Sequence, residues 1–146
     1  MKTNSVVRVL LVGLAFVQCN EVKYKDCGST AKILSVEIEP CDSEPCVFKR
    51  GNETTIRLSL VSDQDSETAT LDARMKVLGM WLPIPGLEKN LCKSTIQCPI
   101  VKGNTYHGSM TVIVPRLIPS VSTDVQIKIA GDKGVSVCIR SAITIA

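Results

Sequence analysis

Six cysteines constrain this chain more than any other feature: Cys27, Cys41, Cys46, Cys92, Cys98 and Cys138. A seventh, Cys19, closes a segment with the layout of a secretory signal peptide. Lys2 and Arg8 supply its positive charge, Val9 to Val17 its apolar stretch, and Val17-Gln18-Cys19 its end. The apolar stretch is about half of the ~20 residues that span a bilayer. Residues 1–19 are therefore expected to be removed, leaving residues 20–146 as one domain outside the cytosol. Six cysteines in a short secreted chain read as three disulfides. Many pairings are open in principle, and sequence alone does not choose among them. The spacing favours two tiny loops, Cys41 to Cys46 around Pro45 and Cys92 to Cys98. Cys27 and Cys138 are then left near the ends of the processed chain. Zinc is disfavoured, because there is no C-x2-C pair and only one histidine.

Between the cysteines the chain alternates with period two, the pattern of half-buried strands. Lys32 to Glu39 puts Leu34, Val36 and Ile38 on one face, and Thr54 to Val61 does the same with Ile56, Leu58 and Leu60. Leu71 to Leu78 has a helical composition, but its alternation of Leu71, Ala73, Met75 and Val77 with charged residues favours a strand. Thr105 to Val114 reads as a strand with Gly108 as a bulge. Val121 to Ala130 presents Val125, Ile127 and Ile129, and after the Gly131-Asp132-Lys133-Gly134 turn the last strand presents Val137, Ile139, Ile143 and Ile145. Six or seven strands and no helix point to an all-β sandwich or barrel.

Catalysis is not legible. His107, the only histidine, sits in a strand-like run without an acidic neighbour, and is expected to face solvent. No nucleophile or phosphate-loop motif occurs. Removing Lys2 and Arg8 leaves fifteen basic against fourteen acidic residues, a net charge of +1. With aromatics at 3% of the chain, nucleic-acid stacking has little to work with. No enzyme, cofactor, metal or nucleic-acid partner is expected.

Two apolar segments sit where polar loops are normal. Met80 to Leu87 carries Trp81, Leu82 and Ile84 among Pro83, Pro85 and Gly86. Pro115 to Pro119 brackets Arg116, Leu117 and Ile118. Proline bars both from central strands. We read them as the rim of an aliphatic cavity, with Trp81, Leu82 and Pro83 also available for transient membrane contact. Asn52-Glu53-Thr54 is an N-glycosylation acceptor at a turn.

KDCGS at Lys25–Ser29, P-C-x4-C at Pro40–Cys46, the LPIPG run, CKSTIQCPIVKGNTY at Cys92–Tyr106 and Cys138 together resemble the ML lipid-recognition domain. The resemblance covers the whole expected mature chain. It is nearest to secreted Niemann–Pick type C2 proteins and mite group 2 allergens, the latter through SEPC at Ser43–Cys46 and GDKGV at Gly131–Val135. It implies an immunoglobulin-like sandwich of two antiparallel sheets with a lipid, sterol or fatty acid, between them. It also implies the pairs Cys27–Cys138, Cys41–Cys46 and Cys92–Cys98. Mouth positions of the sterol carriers fall on Ile84, Val114, Ile118 and Pro119. Val114 and Pro119 match in type. Ile84 and Ile118 replace aromatics, so an acyl chain suits this mouth as well as a sterol ring. The implied protein is a monomeric, secreted or lysosomal carrier. The alternative is a lipid-dependent immune recognition protein or a protein-binding adhesion module.

Overall fold

The computed structural model describes residues 20–146, and the expected signal segment lies outside them. In chain order the elements are β1 (Asn20–Glu21), β2 (Lys25–Asp26), β3 (Lys32–Glu39), β4 (Cys46–Phe48), β5 (Glu53–Val61), β6 (Thr70–Val77) and β7 (Met80–Pro83). They continue with α1 (Leu91–Ser94), β8 (Thr105–Ile113), β9 (Val121–Gly131) and β10 (Gly134–Ile145). They form two sheets. Sheet A has the order β1-β3-β5-β8, and sheet B the order β2-β10-β9-β6-β7, with β4 also on β10. Every pairing is antiparallel except β4 with β10.

The alternation in the sequence sets which faces meet. Ile56, Leu58 and Leu60 on β5 are buried, as are Leu71, Ala73 and Met75 on β6. Val125 and Ile127 on β9, and Val137, Ile139, Ile143 and Ile145 on β10, complete the opposite wall. Alternation thus outweighed the helical composition of β6, because only a strand puts Leu71, Ala73 and Met75 on one buried face.

Four expectations need correction. Leu34 does not point inward. The β3–β5 register shifts between Ile33 and Ser35, so a bulge turns Leu34 out to 46% exposure while Ile33 packs against the core. Gly108 is not a bulge, since β5 and β8 pair without interruption and Gly108 stands opposite Leu58. One helical turn is present at Leu91–Ser94, capped by the Asn90 side chain accepting from the Cys92 N–H at 3.1 Å. Among the described residues the strand count rises to ten, because β1, β2 and β4 are too short to show a period.

The three disulfides pair as the resemblance implied: Cys27–Cys138, Cys41–Cys46 and Cys92–Cys98. Beside the first, Ser29 both donates to the Cys138 carbonyl at 3.1 Å and accepts its N–H at 2.9 Å. With the Cys27 N–H also donating to the Cys138 carbonyl at 2.8 Å, the chain entering from Cys27 is tied to β10 by hydrogen bonds as well as by sulfur.

The Ser62–Thr68 loop is held at the β9–β10 turn by Asp132. Its carboxylate accepts from the Thr68 hydroxyl at 2.6 Å and the Glu67 N–H at 2.8 Å. These bonds hold the Asp132 carboxyl below its ordinary value. A depressed carboxyl pKa contributes stability above the unfolded value, and that contribution is lost as pH falls through the folded value. Asp132→Asn should thus melt below the parent at neutral pH, and the two curves should converge in acid. A gap in Tm that stays constant with pH would show that the charge is not what anchors the loop.

Candidate functional site

The inner faces of the two sheets do not close perfectly. A narrow void of about 30 Å³ lies between them, walled by Ile56, Leu58 and Leu60 of β5, Leu71 of β6, Ile127 and Ile129 of β9 and Ile139 of β10. Gly108 and Met110 on β8, with Leu91 and Ile96 from the disulfide loop, complete it. A second void of about 30 Å³ continues past Leu60, Ile96, Tyr106 and Ile129 to the polar side chains of Ser62, Gln64, Ser66 and Ser136. A third, about 10 Å³, lies beyond Ile56, Ile127 and Ile139 and reaches Phe48 and Ile143. Neighbouring voids share wall residues, so the gaps between the sheets form a seam of small, mostly apolar voids. Each has room for no more than a few waters, far less than a lipid needs.

The seam opens toward solvent on one flank. Thr95, after α1, and Ser109, on β8, line the first void on either side. Ser109 is exposed and Thr95 half-buried. The Thr95 Oγ1 accepts from the Ser109 N–H at 3.0 Å, joining the two lips. Gly108 lies just inside, where an added Cβ would meet Thr95 and Ile96 at 3.6–3.8 Å, ordinary contact. A longer side chain would project into the seam. Tyr106 is fixed at the next inner position of β8 by its hydroxyl, which accepts from the Val101 N–H at 2.7 Å.

Three of the residues expected to form the mouth follow β8. Val114 is buried at the far end of β8, where its carbonyl accepts from the Gly51 N–H at 2.9 Å. The half-buried Ile118 is close by, its carbonyl accepting from Arg50 at 3.2 Å, and Pro119 is exposed. Gly51 has φ +79°, and the Arg116 guanidinium lies over it, so a side chain there would meet both strain and contact. Ile84 is elsewhere. It is buried along the edge of β6, its N–H donating to the Ala73 carbonyl at 3.0 Å. It fills a separate hollow with Leu71, Pro83 and Leu87. Leu71 is the shared wall between that hollow and the main void. Gly51 and Arg50 bring Val114 and Ile118 together beyond β8, and Ile84 lines the hollow beside β6.

The Met80–Leu87 segment begins as an edge strand. Leu78 (φ 50°) and Gly79 (φ 81°) make a tight two-residue turn, and β7 pairs back on β6. Pro83 is tolerated because β7 has no further neighbour. Pairing with Lys76 puts Trp81 on the outer face of sheet B, under Lys76 (5.9 Å) and Arg140 (5.4 Å from the ring centre). Leu82 pairs with Met75, so it faces the sheet-to-sheet side at the open edge.

Chemistry for bond making is sparse. His107 is exposed as expected, with Nδ1 2.7 Å from the Ser59 hydroxyl. Among the described residues no group of His, Cys, Asp or Glu could hold a metal ion. No described helix is long and apolar enough to cross a membrane.

A sequence profile of the ML domain matches residues 21–145. The chain belongs to the ML domain family. Mite group 2 allergen Pso o 2 of Psoroptes ovis is 34% identical over 90% of each chain. NPC intracellular cholesterol transporter 2 of Bos taurus is 31% identical, covering 91% of this chain and 90% of its own. In fold, this ML domain is similar to a solved Niemann-Pick type C2 protein from the Japanese carpenter ant. Their TM-score is 0.77 at 22% identity, over 85% of this chain and 99% of that one. The two-sheet immunoglobulin-like architecture is thus that of the family.

Sequence reasoning found the aliphatic walls of the ML seam but missed the lips. Thr95 and Ile96 lie inside the Cys92–Cys98 loop and Leu91 just before it, where no period shows which side chain turns inward. The one readable signal was Gly108: a glycine within an alternating strand marks either a bulge or space left open beside the backbone.

Proposed function

We propose that this protein is a secreted lipid-binding and transfer protein that holds a sterol or fatty acid between its two sheets. The observation that carries the reading is the seam of mostly apolar voids between the sheets, with a mouth on one flank. Burying an acyl chain there removes apolar surface from water at about 25 cal/mol per Å², and no bond is made or broken. Guest-sized pockets have ~300–1,000 Å³, so the sheets part as the guest enters. The Thr95–Ser109 bond is the polar link across the mouth and is the contact that yields first. The name of the bovine relative, a cholesterol transporter, supports a sterol. The aliphatic lining admits a fatty acid equally.

Val114, Ile118, Pro119 and Ile84 belong to this proposal as positions beyond the first void that a long guest reaches. Residues 1–19 are its signal peptide, and residues 20–146 its single, monomeric domain. The exposed Asn52 carries the glycan. The secretory route delivers it to extracellular fluid or to the lysosome. Leu82 and Pro83, exposed on β7, are available to touch a membrane during transfer.

The test is displacement of a fluorescent fatty acid and a fluorescent sterol from delipidated protein. Gly108→Leu should weaken uptake by roughly tenfold, the loss from excluding about 60 Å² of apolar contact. Gly108→Ala, which fits the space, should leave it unchanged. If Gly108→Leu folds and binds like the parent, the guest does not enter past β8. If the parent itself takes up neither probe, the carrier reading fails. A second reading, a binding module with a closed core, is favoured by the small size of the individual voids. Native mass spectrometry separates the two, since only a carrier co-purifies with lipid.

A further inference from the structure

The outer faces of the two sheets differ in charge although residues 20–146 are nearly neutral as a whole. On sheet A, strand parity turns Glu21, Glu37, Glu39 and Glu53 outward, against Lys32 and Arg57. On sheet B the balance reverses. Lys25, Arg140 and Arg74 stand in one transverse row with Gln126, and Lys128 and Lys76 flank that row. The acidic side chains on this face are Asp72 and Asp124. Asp72 is engaged by Arg74 at 3.0 Å, while Lys25, Lys76, Lys128 and Arg140 are in no ion pair among those of the described residues. Lys25, Lys76 and Arg140 are exposed.

The row is organised. Gln126, although only 6% exposed, accepts from the Arg140 Nε at 2.8 Å. That bond aims the Arg140 guanidinium across the sheet toward Trp81, while Lys76 reaches the same ring. The result is an indole framed by two cations without a carboxylate partner, on a flat surface whose neighbouring strands lie ~4.8 Å apart. Aromatic rings pack against the C–H faces of sugar rings; the two cations now lie over the indole, and a sugar ring takes their place there as they swing onto its anionic groups.

We propose that the outer face of sheet B, centred on Trp81, Lys76 and Arg140, binds an acidic polysaccharide bearing sulfate or carboxylate groups. The polymer lies across the strands, with anionic groups on Arg140, Lys25 and Lys76 and a sugar ring against Trp81. Charge complementarity selects its sign. The lack of large exposed aliphatic side chains on this face argues against a lipid surface: Leu78, Met80 and Leu117, the most exposed apolar residues, lie on the connecting loops and the edge strand instead. The site is independent of the seam, because outward and inward side chains alternate on the same strands.

The test uses full-length secreted protein on immobilised dextran sulfate, with neutral dextran, poly-glutamate and anionic phosphatidylserine vesicles as comparisons. Dextran sulfate should retain the protein in a salt-sensitive manner, and neutral dextran should not. Lys76→Gln combined with Arg140→Gln should weaken retention roughly thirtyfold, two contacts at the upper end of the exposed ion-pair range. Arg57→Gln, on the opposite face, should leave it unchanged. Trp81→Leu should weaken binding to dextran sulfate but not to poly-glutamate. Equal loss on both polymers would overturn the sugar-stacking assignment. So would equal retention by poly-glutamate, preferential binding to the vesicles, or no effect of the double substitution. Fatty-acid uptake should be unaltered in the double variant, which shows that it folds.

Discussion

Replacing Cys27 and Cys138 together with serine should cost about 5 kcal/mol of stability, the loop-entropy value for closing a separation of 111 residues. Removing Cys41–Cys46 or Cys92–Cys98 should cost about 2 kcal/mol each, because those bridges close separations of 5 and 6 residues. The difference arises in the unfolded chain. Without the long bridge both ends are free, and the entropy lost on folding is larger. The folded side adds to this effect: Cys138 is 2% exposed, and the Cys27 N–H donates to the Cys138 carbonyl at 2.8 Å. A loss of about 5 kcal/mol is a large part of the ~5–15 kcal/mol typical of a folded domain. Urea unfolding of the three double-serine variants measures it. Equal losses would show that the unfolded chain is already compact enough for loop length not to matter. The serine pair should leave lipid specificity alone wherever the protein remains folded, because this bridge lies on the side of β10 away from the seam.

Phe48→Ala should cost roughly 3–5 kcal/mol, the range for removing a buried aromatic from a core. Phe48 is fully buried. It sits on β4, opposite Ile145, and its carbonyl accepts from the Ala146 N–H at 3.1 Å. It closes the end of the seam against Val36, Ile38 and Ile143. The remaining core is aliphatic, so no neighbouring ring can swing into the space. The variant should melt far below the parent and, where folded, should accept a longer acyl chain, because its seam extends past Ile143. Phe48→Leu should lose much less. A cost for Phe48→Ala of under about 1 kcal/mol would mean that the sheets collapse onto the gap. It would also mean that the seam adapts more freely than its packing indicates.

The long strands were legible because alternation is a local property. Ile56 to Leu60, Leu71 to Met75 and Ile127 to Ile129 each announce a buried face without reference to anything distant. The bulge at Leu34 was not legible. Nothing local to Leu34 distinguishes it from Val36, and only the register against β5 turns it out. The proline-rich segment was legible as unusual, but its direction was not. Its first half folds back on β6 as an edge strand, which sends Ile84 along the flank of the sheet and Trp81 onto the outer face.

By itself, the sequence determined the all-β class, the two aliphatic walls, the small disulfide loops and the membership of a family whose motif set spans the chain. These rest on residue type and spacing, which are fixed before folding. The tertiary structure decided where the seam meets solvent. Thr95 and Ser109 are far from adjacent in the chain, and the hydrogen bond between them exists only once the disulfide loop has been laid against β8. It also decided that Lys76, Trp81 and Arg140, drawn from three strands, share one face. Charges scattered evenly along a chain become polarised when period two sorts them onto opposite sides of two sheets. That sorting depends on register, which no single strand specifies alone.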